Sequence, residues 1–374
     1  MDTLVFLQHY WWFLIALLGA VLVFLLFVQG GQGLLPQLAR SEAERTALLA
    51  SLDHKWELTF TTLVVFGGAF FASFPLFYAV SFGGACYVWL ALLLLFVMQA
   101  AAFGFRGREG SLYGRRTYDA VLAVGGTGSP FLLGTALGTL FTGAPFVVNR
   151  FGMARTDGDL FIARWTSPWH GLEALADYCN AALGLALVFL SRLLACHYFL
   201  SAVADPALRE RARRRSLPAA ALFLAAFGLF FAGVASAAGY GADPATGTVS
   251  LVEGKLLLNL RQMPLVAVLA AGGVAALAWG VAAGARGSRR ALWASGAGSV
   301  ATVLALLLAA GWNDTAYYPS LSDMQSSLTI RNSSSSRFTL RVMAVVSLLL
   351  PVVAGYVAYA WRAVARPPRP HDAA

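Results

Sequence analysis

The stretch DHKWELTFTTLVVFGGAFFASFP, residues 53–75, joins one carboxylate to a long apolar run. From Thr59 onward it has the length and composition of a helix that crosses a membrane. Glu57, beside Trp56 and Lys55, stands at the predicted mouth of this helix. An acid so close to hydrocarbon is costly, and we therefore expect a specific reason for it.

The rest of the chain has the composition of a membrane protein. Of 374 residues, 59% are hydrophobic and 12% are charged, and the mean hydropathy is +0.68. Soluble domains have about 25% charged residues. The net charge is +9, but the basic residues form short clusters between apolar runs, where they set membrane topology. We therefore expect an all-α integral membrane protein and no nucleic-acid partner.

Nine apolar segments are long enough to span a bilayer. Backbone groups in lipid must be hydrogen-bonded within their own segment, so each segment is expected to be a helix. The predicted spans are 10–30, 57–80, 84–104, 119–141, 171–198, 217–238, 263–284, 291–311 and 338–362.

The basic residues predict the orientation of the chain. Of its 27 Lys and Arg residues, 18 lie in or beside one alternate set of connections (31–56, 105–118, 199–216, 285–290 and the C-terminal tail), and 7 lie in the opposite set. Connections rich in Lys and Arg face the cytoplasm. The N-terminus is therefore expected to be periplasmic and the C-terminus cytoplasmic.

Glu57 shares one helical face with Thr61, Gly68 and Ala72, because the four residues are separated by 4, 7 and 4 positions. This face is small and polar, as is typical where membrane helices approach closely. We expect it to point into a helix bundle, where ionisable groups usually mark ion or proton pathways. The alternative is an interfacial Glu57 that pairs with Lys55 or reaches water.

Two further motifs lie inside predicted spans. Gln29 and Gln32 are three residues apart and share a face near the cytoplasmic surface. Their amides are expected either to hold a water chain or to bond neighbouring helices. Gly134 and Gly138 form a G-x-x-x-G motif, which favours close helix packing.

Two arginines lie inside other predicted spans. Arg192 is expected to extend toward the cytoplasm and Arg341 toward the outside.

Two outer loops, 142–170 and 312–337, are long for connectors. Each is expected to be either a functional segment or a solvated connector.

No residue pattern predicts a metal, haem or nucleophile site in this chain. The five histidines (His9, His54, His170, His197 and His371) lie at span ends, in loops or in the tail. The three cysteines form no C-x-x-C pair. The sequence has neither a phosphate loop nor a nucleophile elbow. If redox chemistry occurs, we expect another chain to hold the cofactors.

Four stretches in order resemble subunit II of the cytochrome bd quinol oxidase family, and the resemblance covers nearly the whole chain. They are YWWFLIALLGAVLVFLLFVQGGQ (10–32), HKWELTFTTLVVFGGAFFASFPLFYAVSFGG (54–84), LGTALGTLFTGAPFVVN (133–149) and YPSLSDMQSSLTIRNSSSSRFTLRVM (318–343). The resemblance implies one membrane domain, 1–374. It would consist of two four-helix bundles, 1–145 and 165–312, and a peripheral ninth helix, 338–362.

The resemblance also implies a heterodimer in the bacterial inner membrane. Subunit I would carry haem b, haem d and the quinol site, and this chain would ligate no cofactor. The complex would oxidise quinol and reduce dioxygen to water, with protons supplied from the cytoplasm. The resemblance allows a structural quinone or lipid, contacts with membrane lipids and a small accessory subunit.

Glu57 falls on the acidic position that follows the family's Trp, which is usually Asp. The resemblance thus implies a proton pathway through Glu57, Gln29, Gln32 and Thr61, with no catalytic residue in this chain. Gln29 and Gln32 depart from the family, many of whose members carry two acids there. Two alternatives remain: a secondary transporter with Glu57 as its coupling acid, and a partner subunit with a structural role alone.

Overall fold

The computed structural model describes residues 3–108, 111–149 and 162–364. Within these residues, nine helices are long and apolar enough to cross a membrane, as predicted. Residues 150–161 of the loop 142–170, and His371 in the tail, lie outside the described residues. We number the helices span 1 to span 9: Thr3–Leu38, Glu42–Ser73, Cys86–Phe105, Gly114–Thr142, Tyr178–Ala202, Pro206–Ser236, Pro264–Ala285, Ala291–Gly311 and Arg337–Tyr359.

Several spans extend beyond their apolar runs. Span 2 begins at Glu42, where Ser41 and Glu44 form a capping box that satisfies backbone N–H groups of the first turn. Glu57 therefore lies in the middle of a helix of 32 residues. Span 6 begins at Pro206, so the basic segment predicted as a connection is helical.

Two spans are interrupted. Span 1 consists of two segments, Thr3–Leu25 and Phe27–Leu38. The helix of span 9 continues as Leu350–Val364 after a break that follows Ser347.

Spans 1 and 5 form the centre of the molecule. In their most apolar windows, 67% and 78% of the residues are buried, against 6% in span 9. Span 1 contacts spans 2, 4, 5 and 8, and the neighbouring pairs 3–4, 4–5, 5–6, 6–7 and 7–8 also pack together. The division into two four-helix bundles stays a prediction.

The connections predicted to be cytoplasmic meet one another at one end of the molecule. Arg106 after span 3 bonds Glu42 at the start of span 2, and Arg211 in span 6 bonds Glu44. We call this the inner end and the opposite end the outer end, although the absolute orientation in the membrane stays a prediction.

The outer end carries three two-stranded antiparallel sheets within the described residues. Strand β1 (Phe146–Val148) pairs with β2 (Ala163–Trp165), β3 (Ala238–Ala242) with β4 (Val249–Glu253), and β5 (Ala316–Tyr318) with β6 (Leu328–Thr329). The connections at the outer end also contain short helical segments: Pro75–Phe77, Tyr78–Gly84, Leu172–Ala176, Lys255–Gln262, Met324–Ser326 and Ile330–Ser333.

Residues 315–320 and 326–330 of the loop 312–337 are buried, and we call these two segments the plug. The interpretation of the whole loop as a solvated connector is therefore wrong. Tyr317 is fully buried and its ring lies 4.3 Å from that of Trp12 in span 1. The Tyr317 hydroxyl bonds Ser333 Oγ at 2.8 Å. Burial raises the pKa of Tyr317 above its usual value. Polar side chains of this loop form hydrogen bonds with buried polar groups of the same loop. Its segments can therefore be buried without losing those bonds.

Candidate functional site

Glu57 lies on the outside of the described chain. Its side chain is exposed, as are Thr61 and Gly68, whereas Ala72 is half-buried. A Cβ atom added to Gly68 would meet no heavy atom within 4 Å in the described part of the chain. The expectation that this face points into the bundle of this chain is therefore wrong.

Aromatic residues occupy the inward side of span 2 instead. Trp56, Phe66 and Phe70 are buried there. A Cβ atom on Gly19 of span 1 would lie 2.9 Å from the Phe66 ring. The glycine that allows close packing is thus on span 1, and the large side chains are on span 2. Large rings packed against a small residue give close van der Waals contact between the two spans.

Gln29 and Gln32 form part of a buried amide cluster near the inner end. Both side chains are fully buried. Gln29 Nε2 donates to Gln99 Oε1 in span 3 at 3.3 Å. Gln99 Oε1 also accepts from Trp56 Nε1 at 3.1 Å, and Gln99 Nε2 donates to Ser129 Oγ in span 4 at 3.0 Å. The cluster therefore joins four helices.

Sequence reasoning missed Gln99 and Ser129. An amide in the middle of an apolar span is a signal, because a polar side chain in hydrocarbon requires a partner. The sequence does not identify that partner, since Gln29 is 70 residues away from Gln99.

Three amide atoms of the cluster have no hydrogen-bond partner among the described residues: Gln29 Oε1, Gln32 Nε2 and Gln32 Oε1. An unsatisfied buried polar atom costs about 1–3 kcal/mol. Water bound between such atoms removes this cost, because buried waters bond two to four polar groups. The cluster thus has the chemistry of a water-binding site.

Glycines bring the cluster together. A Cβ atom on Gly126 of span 4 would lie 2.6 Å from the backbone nitrogen of Gly33 and 2.8 Å from Gln32 Cβ. One on Gly125 would lie 2.7 Å from Gln99 Cγ. Only glycine at these positions allows spans 1, 3 and 4 to approach so closely.

Glu57 and the amide cluster face different sides of span 2. Trp56, next to Glu57 in sequence, points inward to Gln99, while Glu57 points outward. The structure therefore brings Gln29 and Gln32 together with Gln99, and it does not bring Glu57 or Thr61 into that cluster.

Gly134 and Gly138 lie where span 4 meets span 5. A Cβ atom on Gly134 would come within 2.7 Å of Gly184 Cα, and one on Gly138 within 2.9 Å of Asn180 Cα. Arg192 of span 5 lies at the inner part of the same contact. Its Nη2 donates to Thr127 Oγ1 at 3.1 Å, so the guanidinium bonds a neighbouring helix.

His197 is poorly placed for haem ligation. His197 is fully buried, and its Nδ1 lies 2.8 Å from Ser295 Oγ. Ser295 Oγ also donates to Ala291 O at 2.7 Å, so this hydroxyl bonds both the imidazole and its own helix. Gly284 covers Nε2 and leaves no room for a porphyrin. In the described part of the chain, no three His, Cys, Asp or Glu side chains group as a metal site.

A cavity of about 250 Å³ lies at the outer end, lined by residues of spans 4, 5, 6 and 8 and of the segment Lys255–Gln262. Asp177, Lys255, Asn259 and Thr315 are among its lining residues. Burial lowers the pKa of Lys255, and its Nζ donates to Asn313 O at 2.9 Å. Asn259 Nδ2 donates to Thr315 Oγ1 at 2.8 Å.

Comparisons with known proteins agree on one family. The family model described as cytochrome bd terminal oxidase subunit II matches residues 7–364. The probable cytochrome oxidase subunit 2 of Haemophilus influenzae is 27% identical over 362 residues, which cover 93% of this chain and 91% of that protein. The cytochrome bd-I ubiquinol oxidase subunit 2 of Escherichia coli K12 is 27% identical over 377 residues, 95% of this chain and 93% of its own length.

A solved structure shares the fold. A chain of the bd oxidase from Geobacillus thermodenitrificans superposes with a TM-score of 0.62 at 16% identity. The match covers 96% of this chain and 98% of that one.

Proposed function

Because the chain belongs to the family of cytochrome bd terminal oxidase subunit II, we propose that it is the haem-free subunit of a quinol oxidase. It is a multi-pass protein of the bacterial inner membrane and part of an oxidoreductase complex. In the proposal, subunit I holds haem b, haem d and the quinol site. The covered Nε2 of His197 supports the assignment of the haems to the partner.

The complex would oxidise quinol and reduce dioxygen to water, and this chain would have two tasks. The first is to support subunit I mechanically. The second is to help supply protons from the inner end. A secondary transporter is not favoured, because the family match extends over nearly the whole chain.

The exposed face of span 2 carries the proposed contact with subunit I. Gly68 leaves open space in which a helix of another chain fits closely. Glu57 and Thr61 lie on the same exposed face. No described residue forms an ion pair with Glu57, and its carboxylate is free to exchange a proton across the contact. This outward position of Glu57 is the observation that carries the proposal.

Gln29 and Gln32 would hold water that continues the pathway inside the chain. An amide binds water but does not itself take up a proton, so Glu57 supplies the titrating group. The unsatisfied amide atoms support bound water at this place. Ordered water between Gln29 and Gln32 in a high-resolution map of the complex would agree with this role.

The outer cavity is the proposed place for a structural quinone or lipid. The Lys255 ammonium lines this cavity and has N–H groups beyond the one that bonds Asn313 O, which suit a carbonyl or phosphate oxygen. Extraction of the purified complex followed by mass spectrometry tests this. A bound quinone or lipid lost on Lys255→Met substitution supports it, and unchanged content contradicts it.

Purification by a tag on this chain tests the main assignment. We expect subunit I and the absorption bands of haems b and d to co-purify in mild detergent. A preparation that contains this chain without a haem d band would contradict the oxidase assignment. A transporter would also show substrate uptake in vesicles without added quinol.

A further inference from the structure

A basic patch lies at the inner end between span 6 and the connection of spans 7 and 8. Arg213 Nη1 in span 6 donates to Ala285 O at the end of span 7, at 2.9 Å. A Cβ atom on Gly287 would lie 3.6 Å from Arg213 Cδ. These contacts place two arginine-rich segments side by side, 209–215 and 286–290.

Most of the positive charge in this patch is not neutralised. Glu210 is already bonded by Arg213 at 2.6 Å and Arg214 at 2.8 Å. Four arginines are exposed and have no ion pair among the described residues: Arg215, Arg286, Arg289 and Arg290. Unpaired charges of one sign on one surface attract anions.

Exposed apolar side chains continue from the charges into the membrane region. The unpaired Arg215 and the exposed Leu222 share one face of span 6, because they are separated by seven positions. Leu217 is 52% exposed and Leu224 is 62% exposed. Trp293, three residues after Arg290, is 62% exposed on span 8. The surface thus offers cations for a headgroup and apolar contact for acyl chains.

We propose that this patch binds the headgroup of an anionic phospholipid, with its acyl chains along the exposed face of span 6. Guanidinium groups bond phosphate oxygens in pairs, and basic residues near a bilayer attract anionic lipids. The site is separate from Glu57 and does not depend on the proposed oxidase function. Membrane topology requires basic residues at this end, but it does not require the two segments to converge.

Native mass spectrometry of the purified complex tests the proposal. The test variant is the triple substitution Arg286→Gln, Arg289→Gln and Arg290→Gln. The control, Arg108→Gln, Arg115→Gln and Arg116→Gln, removes the same charge at the same end, from the connection of spans 3 and 4. Complexes are titrated with phosphatidylglycerol, phosphatidylcholine and inorganic phosphate.

We expect the test variant to lose at least about tenfold in apparent affinity for phosphatidylglycerol, since each basic residue strengthens the attraction. The control should retain it, and phosphatidylcholine should bind equally to all forms. Equal losses in both variants, or displacement of the lipid by inorganic phosphate at equal concentration, would overturn the proposal. If the triple variant does not assemble, Arg289→Gln and Arg290→Gln are measured singly against Arg116→Gln, with the same outcomes.

Discussion

Trp56 donates its indole N–H to the amide oxygen of Gln99 at 3.1 Å, on the side of span 2 that faces the interior. Glu57, the next residue, is turned outward. One side of span 2 therefore holds the chain together. The other side carries an acid that remains available to a second protein.

Gln99 should be important for stability. Gln99→Leu removes the partner of Trp56, Gln29 and Ser129 at once. We expect a loss of about 2 kcal/mol or more in unfolding free energy, because buried donors lose their acceptor. Thermal unfolding of the purified complex measures it. Met98→Leu, at an exposed neighbouring position, is the control, and an equal midpoint for both variants would argue against the cluster.

Gly134 and Gly68 should have different roles. Gly134 should support packing within this chain, and Gly68 should support contact with subunit I. Gly134→Leu would force span 4 away from Gly184 in span 5, and we expect the chain not to accumulate in the membrane. Gly68→Leu meets no atom of the described chain. We expect it to leave this chain folded but to reduce co-purification of subunit I. Normal assembly of the Gly68 variant would remove the proposed contact face.

Arg106 and Asp119 should be strongly coupled. Their side chains are 8% and 15% exposed, and Arg106 Nε lies 2.6 Å from Asp119 Oδ1. Arg106→Leu leaves Asp119 with Arg45 as its partner, 3.1 Å from Asp119 Oδ2, so we expect a cost of about 2 kcal/mol, less than for an unpaired buried charge. Adding Asp119→Leu should recover part of this loss. Arg115→Leu, at a side chain 61% exposed, should cost less than about 1 kcal/mol, and additive effects in the cycle would refute the coupling.

The buried plug should become unstable in alkali. Burial raises the pKa of Tyr317 above its usual value, so the folded chain keeps a proton that the unfolded chain releases. The stabilisation is complete below pH 10 and decreases as the pH rises above it. Tyr317→Phe should reduce this decrease, as measured by unfolding at pH 8 and at pH 10.5. An unchanged pH dependence would show that Tyr317 ionises freely in the folded chain.

The number and approximate positions of the spans were predictable, because hydrocarbon requires long apolar helices. Which face of span 2 points into the chain was not predictable. Spacing shows that Glu57, Thr61 and Gly68 lie together, but it does not show whether they or the aromatic residues turn inward. That outcome depends on where span 1 supplies a small residue, and Gly19 supplies it for Phe66.

The contacts within the amide cluster and the plug were also not predictable from the sequence. Gln29 and Gln32 were found as polar residues in an apolar segment, but their partner Gln99 lies 70 residues from Gln29. The sequence of the loop 312–337 is compatible both with a functional segment and with a solvated connector. Its burial depends on hydrogen bonds such as Tyr317 to Ser333, which are set by tertiary structure.

Proton uptake by the reduced complex after mixing with dioxygen tests the role of Glu57 most directly. Glu57→Gln keeps the size and polarity of the side chain but cannot release a proton, and Glu57→Asp restores the acid. With saturating quinol, we predict uptake about a hundredfold slower in Glu57→Gln, at the lower end of what positioned proton transfer contributes. Glu57→Asp should remain close to wild type. Wild-type uptake in Glu57→Gln, with subunit I and both haems retained, would contradict the account.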